Sequence, residues 1–187
     1  MSNNYLDLFY FFFHKSLESI LFEGIEKDYI NELYNIEDLN ESLLLREEVG
    51  DYLKVDIVMF YQQELFNLSI LINSKSICDL YFYSLLEEDK QENLEIKEDN
   101  FQFFLEFLKT SLIEAYNCFE KFKLSTIKFK VKNIEIFRKK SHINLDKFFY
   151  FNSVEFNIND NKNESHIELF LLIDDKCKDF LENQVSK

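Results

Sequence analysis

The chain of 187 residues contains no proline, no tryptophan and only two glycines, Gly24 and Gly50. Without glycine-rich stretches, a phosphate-cradling loop of the P-loop or dinucleotide type cannot form. Sharp turns that need positive φ must come from Asn and Asp, which tolerate that region best after glycine. Cysteine is scarce too. Cys78, Cys118 and Cys177 stand far apart, in none of the spacings of a zinc site or a redox pair. An odd number of cysteines without a secretory leader reads as reduced thiols in a cytoplasm. Long apolar runs are missing as well. The opening MSNNYLDLFYFFFHKSLESILF is interrupted by Asp7, His14, Lys15 and Glu18, and it has neither a basic leader nor a small-residue cleavage site. It reads as an amphipathic or core helix, not as a signal or a membrane span.

Catalytic spacings are equally sparse. His14, His142 and His166 are scattered, and no His-Glu-x-x-His, Cys-x-x-Cys or nucleophile elbow occurs. Carboxylate pairs such as Glu87/Glu88 and Asp174/Asp175 are adjacent in sequence, whereas glycosidase chemistry needs two held across a cleft.

What the chain does have is acid and phenylalanine. With 35 acidic and 21 basic residues, the net charge is -14. That field repels nucleic-acid phosphates and anionic membrane surfaces, so neither is expected as a partner. It suits a basic partner patch, or it keeps an apolar chain soluble. The 22 Phe and 10 Tyr, within a hydrophobic content of 47%, are enough for a sizeable core. The length fits one domain, 1–187. It divides into an N-terminal helix and acidic arm (1–49), a core (50–174) and a C-terminal helix or tail (175–187).

Hydrophobic spacing sets the expected elements. Leu8, Phe11, Phe12, Leu17, Ile20, Leu21 and Ile25 recur at helical intervals within 5–27. Residues 28–49 are acidic and weakly periodic. Val- and Ile-rich runs near 54–60 and 65–72, separated by YQQE, read as a hairpin. Ser74 is a fair helix N-cap, and 74–86 continues as a helix. The charged stretch EEDKQENLEIKED at 87–99 reads as a solvated loop, with Asp99 or Asn100 capping a helix over about 101–123. In 125–137, Ile127, Phe129 and Val131 alternate with Lys128, Lys130 and Lys132, a half-buried strand with a basic outer face. Strands at 148–158 and 165–173 and a short helix at 175–183 close the chain. The fold class is α+β, a mainly antiparallel sheet with long helices packed on one face.

The helix over 101–123 carries the most informative face. A stripe of Phe101, Leu105, Leu108, Leu112, Ala115, Phe119 and Phe122 is expected to face the core. Thr110, Glu114 and Asn117 fall opposite, within about 60° of one another at 100° per residue. Phe103 and Phe107 share that outer face. A hydroxyl, a carboxylate and an amide flanked by aromatics suit a partner-binding surface. A second sheet, helix or subunit covering the two Phe side chains is the other reading the pattern allows.

The segment TSLIEAYN, with Thr110, Glu114 and Asn117, resembles the active-site pattern of the CheC/CheX/FliY family of chemotaxis phosphatases. In that family Asp or Ser is followed after three residues by Glu and after two more by Asn. The order of elements over about 50–174 is similar as well. Upstream, VDIVMFYQQELFNLSILINSKSICDLYFYSLL resembles the family's hairpin and helix. Downstream, FKVKNIEIF, FFYFNSVEFNI and HIELFLLI resemble its closing strands. Thr110 stands where Asp or Ser is usual, and a single motif looks like the CheX branch. The resemblance implies a phosphatase acting on a phosphorylated response regulator of the CheY type. Asn117 would orient the attacking water and Glu114 would pair with the regulator's Lys. Both would be catalytic, with Thr110 as a supporting contact. Phe103 and Phe107 are expected as partner contacts from their place on the outer face of the helix, not from the family pattern. No cofactor of its own is implied, because Mg²⁺ comes with the regulator, and a homodimer is expected. Two further readings stay open: a non-catalytic adaptor of the same fold in the chemotaxis or flagellar-switch apparatus, and an unrelated acidic scaffold protein.

Overall fold

The computed structural model describes residues 33–35, 50–85, 96–121, 128–138, 143–148, 150–159 and 164–183. The helix expected over 5–27, the arm except for residues 33–35, and most of the charged loop at 87–99 lie outside these described residues.

Six strands form one antiparallel sheet. They are β1 (Leu33–Asn35), β2 (Tyr52–Tyr61), β3 (Glu64–Asn73), β4 (Lys128–Phe137), β5 (Tyr150–Asn159) and β6 (Glu164–Ile173). Their spatial order is β1-β5-β6-β3-β2-β4. Three helices are described: α1 (Ser74–Leu85), α2 (Glu98–Lys121) and α3 (Asp175–Asn183). Each expected element of the core has its counterpart, and β1 is an addition within the weakly periodic arm. Of the long helices expected, α2 is the one described, at 24 residues.

Hairpin β2–β3 is in register from Tyr52↔Asn73 to Tyr61↔Glu64, which leaves a two-residue turn at Gln62 and Gln63. Gln62 takes φ 56°, so the left-handed position falls to a Gln rather than to the Asn or Asp expected. Asn73 ends β3 and starts α1: its Oδ1 accepts the Ser76 N–H at 2.7 Å. The cap is therefore Asn73, one residue before the Ser74 expected. Asn100 is no cap either. It lies buried inside the first turns of α2, and its Nδ2 donates to Cys78 Sγ of α1 at 2.9 Å.

The sheet separates two apolar clusters because side chains alternate along each strand. One face presents Leu53, Val55, Ile57 and Met59 of β2, Phe66, Leu68, Ile70 and Ile72 of β3, and Ile167, Leu169, Leu171 and Ile173 of β6. The three helices cover it with Ile77, Leu80, Phe104, Phe107, Leu108, Leu112 and Cys177. On the opposite face Tyr52, Leu71, Phe170 and Leu172 meet Leu145 and Phe148 from the connection between β4 and β5. A buried Leu or Ile contributes about 1.5–3 kcal/mol, so the helix-covered face supplies most of the stability.

Candidate functional site

Helix α2 runs unbroken beneath every site residue read from the sequence. Thr110, Glu114 and Asn117 share it at intervals of four and three, spanning about 10 Å at 1.5 Å per residue. Thr110 is exposed, and its hydroxyl donates to the Glu106 carbonyl at 3.0 Å. That bond fixes the rotamer and leaves the oxygen lone pairs free to accept. The side chains of Glu114 and Asn117 lie outside the described residues.

Phe107 does not belong to an outer face. It is 3% exposed and sits in the core, its ring 5.9 Å from that of Phe104. Phe103 is half-buried against the core rim and meets Tyr81 of α1 edge-on, ring centres 5.4 Å apart. A partner therefore cannot use Phe107 as a contact, and Phe103 is largely engaged by α1. The physical cause is a rotation of the helix. The buried positions are Asn100, Phe104, Phe107, Leu108, Ser111 and Leu112, which turns the core-facing centre by roughly 50° from the apolar stripe read from the sequence. Among the described residues, helix α2 has two neighbours, the sheet below and α1 beside it, and its buried face turns toward both. Leu105 and Ile113 are left on the other flank, Ile113 49% exposed. Helical positions 110, 114 and 117 then fall on the flank of Phe103 rather than diametrically opposite the core.

The abandoned flank opens a groove of about 760 Å³ between α2 and β4. Leu105, Leu112 and Ile113 line one wall, Phe129, Val131 and Ile134 the other, with Lys109 and Lys128 among the polar lining. Sequence periodicity gave no sign of it, because the signal for a groove is the absence of a covering element, here among the described residues.

A polar cluster on the opposite face of the sheet was missed as well. Lys54 is almost buried, yet its Nζ lies 3.1 Å from Asp56 and 3.8 Å from Glu135, and 5.7 Å from the centre of the Phe148 ring. Ser69 donates to Asp56 Oδ1 at 2.9 Å and is within 3.1 Å of the Val55 carbonyl. Alternation alone puts Lys54 and Asp56 on one strand face, and only the 143–148 segment laid over them makes that face an interior. Burial of the charges is offset by their pairing and by the hydrogen bonds. Near the end of β6, Asp174 ties two elements together: Oδ2 accepts Asn67 Nδ2 at 2.8 Å and Oδ1 accepts the Cys177 N–H at 2.7 Å, capping α3. Burial first, and Asp174 second, push the Cys177 thiol well above its ordinary value. Burial likewise raises Cys78, opposed by the Asn100 hydrogen bond. Neither is a poised nucleophile. Among the described residues, no cluster of His, Cys, Asp and Glu has metal-site geometry, and no helix is long and apolar enough to cross a membrane.

By sequence, no family model and no curated protein matches the chain. By structure the likeness is extensive. FliY of Thermotoga maritima overlaps with a TM-score of 0.62 at 12% identity, over 90% of this chain and 85% of that one. The FliM middle domain of Vibrio alginolyticus gives 0.61 at 10% identity, over 97% and 98%. Chemotaxis protein CheX of Vibrio vulnificus gives 0.52 at 11% identity, over 91% and 97%. The chain has the fold of the CheC/CheX/FliY family and of FliM middle domains. The overlap does not single out the CheX branch.

Proposed function

We propose that this protein is a chemotaxis phosphatase of the CheX type that hydrolyses the aspartyl phosphate of a CheY-type response regulator. The observation that carries the reading is the unbroken helix α2, which holds Glu114 and Asn117 three residues apart on a fold shared with CheX and FliY. Residues i and i+3 of a helix are neighbours, so one face can meet the regulator with both. The Asn117 amide donates and accepts without titrating, and so can hold a water in line with the phosphorus. Glu114 pairs with the regulator's Lys and sets the docking register. Thr110 adds a supporting contact through its free lone pairs. The regulator brings the Mg²⁺ that neutralises phosphoryl charge, and the phosphatase needs no cofactor of its own. Positioning and electrostatics are most of what phosphoryl transfer requires. The acidic surface of this chain suits a basic patch beside the regulator's phosphorylated site. The protein works in the cytoplasm as a homodimer.

The adaptor reading has an observation of its own, the FliM middle domain with which the chain overlaps over almost the full length of both. In that role the fold binds a chemotaxis or flagellar-switch protein, and loss of Glu114 or Asn117 has no consequence. Decay of a phosphorylated CheY-type regulator separates the two. With wild type present the decay accelerates, and with Asn117→Ala the acceleration falls by about 100-fold, the usual scale for losing a group that positions the nucleophile. Unchanged decay with retained binding would establish the adaptor role instead.

A further inference from the structure

The α2–β4 groove has a polar counterpart on the other face of the sheet. There the 143–148 segment lies over β2 and leaves a pocket of about 460 Å³. That volume lies in the range of small-molecule sites. The floor is β2, with Lys54 and Asp56. One wall is Asn144, Lys147 and Phe148, and the other is β4, with Lys132, Asn133 and Glu135.

The β4 wall depends on an irregularity of the strand. Asn133 and Glu135 stand opposite Asp56 and Lys54 of β2, and Val131 stands opposite Ile57. The register shifts between the Asp56 and Ile57 pairings, so Lys132 is an extra residue in a β-bulge. Strict alternation would send Lys132 and Asn133 to opposite faces of the sheet. Both instead line the pocket. The bulge thus re-aims a side chain and brings a cation and an amide to one face.

The polar groups of the floor are already engaged. Lys54 Nζ lies 3.1 Å from Asp56 and 3.8 Å from Glu135, and Asp56 Oδ1 also accepts the Ser69 hydroxyl at 2.9 Å. The rim is different. Among the described residues, neither Lys132 nor Lys147 has an ion-pair partner, and the Asn133 side chain has no hydrogen bond. Asn144 uses only its Oδ1, which accepts the Asp146 N–H at 3.0 Å. Two ammonium groups and two amide N–H₂ groups therefore remain to donate around one pocket. Three lysines against two carboxylates leave the lining with one net positive charge, on a chain of net charge -14. Such a pocket draws in an anion. Asp56 and Glu135 beside the lysines penalise a doubly charged one. The Phe148 ring offers an apolar surface to a carbon skeleton, and the half-exposed Glu135 can accept from a hydroxyl.

We infer that this pocket binds a small hydroxylated monocarboxylate, its carboxylate held between Lys132 and Lys147 with donors from Asn133 and Asn144. The site lies across the sheet from α2, so it is separate from the proposed phosphatase face and does not depend on it.

The test is calorimetric titration of the full chain with sodium gluconate, sodium lactate, inorganic phosphate and the uncharged polyol sorbitol, all at one ionic strength. Gluconate or lactate is expected to bind saturably, with a Kd of about 1 mM or tighter, and sorbitol is expected not to bind. Lys132→Gln and Lys147→Gln, both at exposed positions, should each weaken binding by about fivefold or more. Thermal melts show that the variants stay folded. Saturable binding of neither carboxylate would overturn the inference. Carboxylate binding that neither substitution weakens would place the ligand elsewhere and overturn this pocket. Phosphate bound more tightly than both carboxylates would overturn the ligand class.

Discussion

Strands β3 and β4 both pair antiparallel with β2, and each has 10 residues. Both alternate apolar with polar side chains over part of their length. Yet the last six residues of β3 are all buried, whereas β4 is exposed at seven of its ten positions. The difference lies in neighbours. Strand β3 has β6 on its far side, helices on one face and the 143–148 segment near the other. Among the described strands, β4 pairs with β2 alone, and α2 is turned partly away from it. Equal intrinsic pattern therefore yields a core strand and an edge strand, and what covers the strand decides which.

Truncations should make the contrast quantitative. Ile70→Ala in β3 removes a fully buried side chain where the packed sheet cannot collapse, and a loss of about 3–4 kcal/mol is expected. Val131→Ala in β4 should change stability by no more than about 0.5 kcal/mol. Urea midpoints of the two variants measure the contrast, and equal losses would mean that β4 is covered in solution.

Lys54 probes the boundary between the two regions, since it lies on β2 between them. Lys54→Ala leaves Asp56 without its cation beneath the 143–148 segment. A loss of about 2 kcal/mol is expected, below the range for fully buried pairs because the Asp56 side chain is 25% exposed. Glu135→Gln on the β4 side, 45% exposed and 3.8 Å away, should cost less than about 0.5 kcal/mol in the monomer. Denaturant titration of both variants under dilute conditions checks the ordering.

An effect confined to alkaline pH concerns Cys177, whose helix α3 packs over the start of β3 through Phe180 on Phe66, ring centres 4.4 Å apart. Its thiol is raised in the folded state, by burial first and by Asp174 second. Its contribution is thus intact below the ordinary thiol value and is lost as pH climbs above about 8.5 toward the raised native one. Wild type should lose stability in that window faster than Cys177→Ala, by at most about 1.4 kcal/mol per pH unit. Parallel alkaline slopes for the two proteins would contradict the burial of this thiol.

Much of this was legible before any tertiary structure. Alternation in β2, β3, β4 and β6 and the helical period of α2 placed those elements to within a few residues, because each depends on neighbours along the chain. The rotation of α2 was not legible. Hydrophobicity pointed its core face at Leu105 and Leu108, while contact with both α1 and the sheet brought Phe107 inward and left Ile113 exposed. Phe107 thus lost the partner-facing role that the wheel assigned it, whereas Phe103 stays half-buried beside Tyr81. The spacing of Thr110, Glu114 and Asn117 survived, since it follows from helix geometry alone.

The sequence by itself determined the order of elements, the acidic charge, the lack of glycine loops and metal spacings, and the one helix on which the candidate site stands. These are properties of composition and short-range period, and they hold whatever the chain packs against. The tertiary structure alone decided which face of α2 is inside, that Lys54 and Asp56 form a covered ion pair, and that β4 is an edge. It also decided where the bulge at Lys132 shifts the alternation. Each of those depends on residues far apart in the chain, whose approach no local pattern encodes.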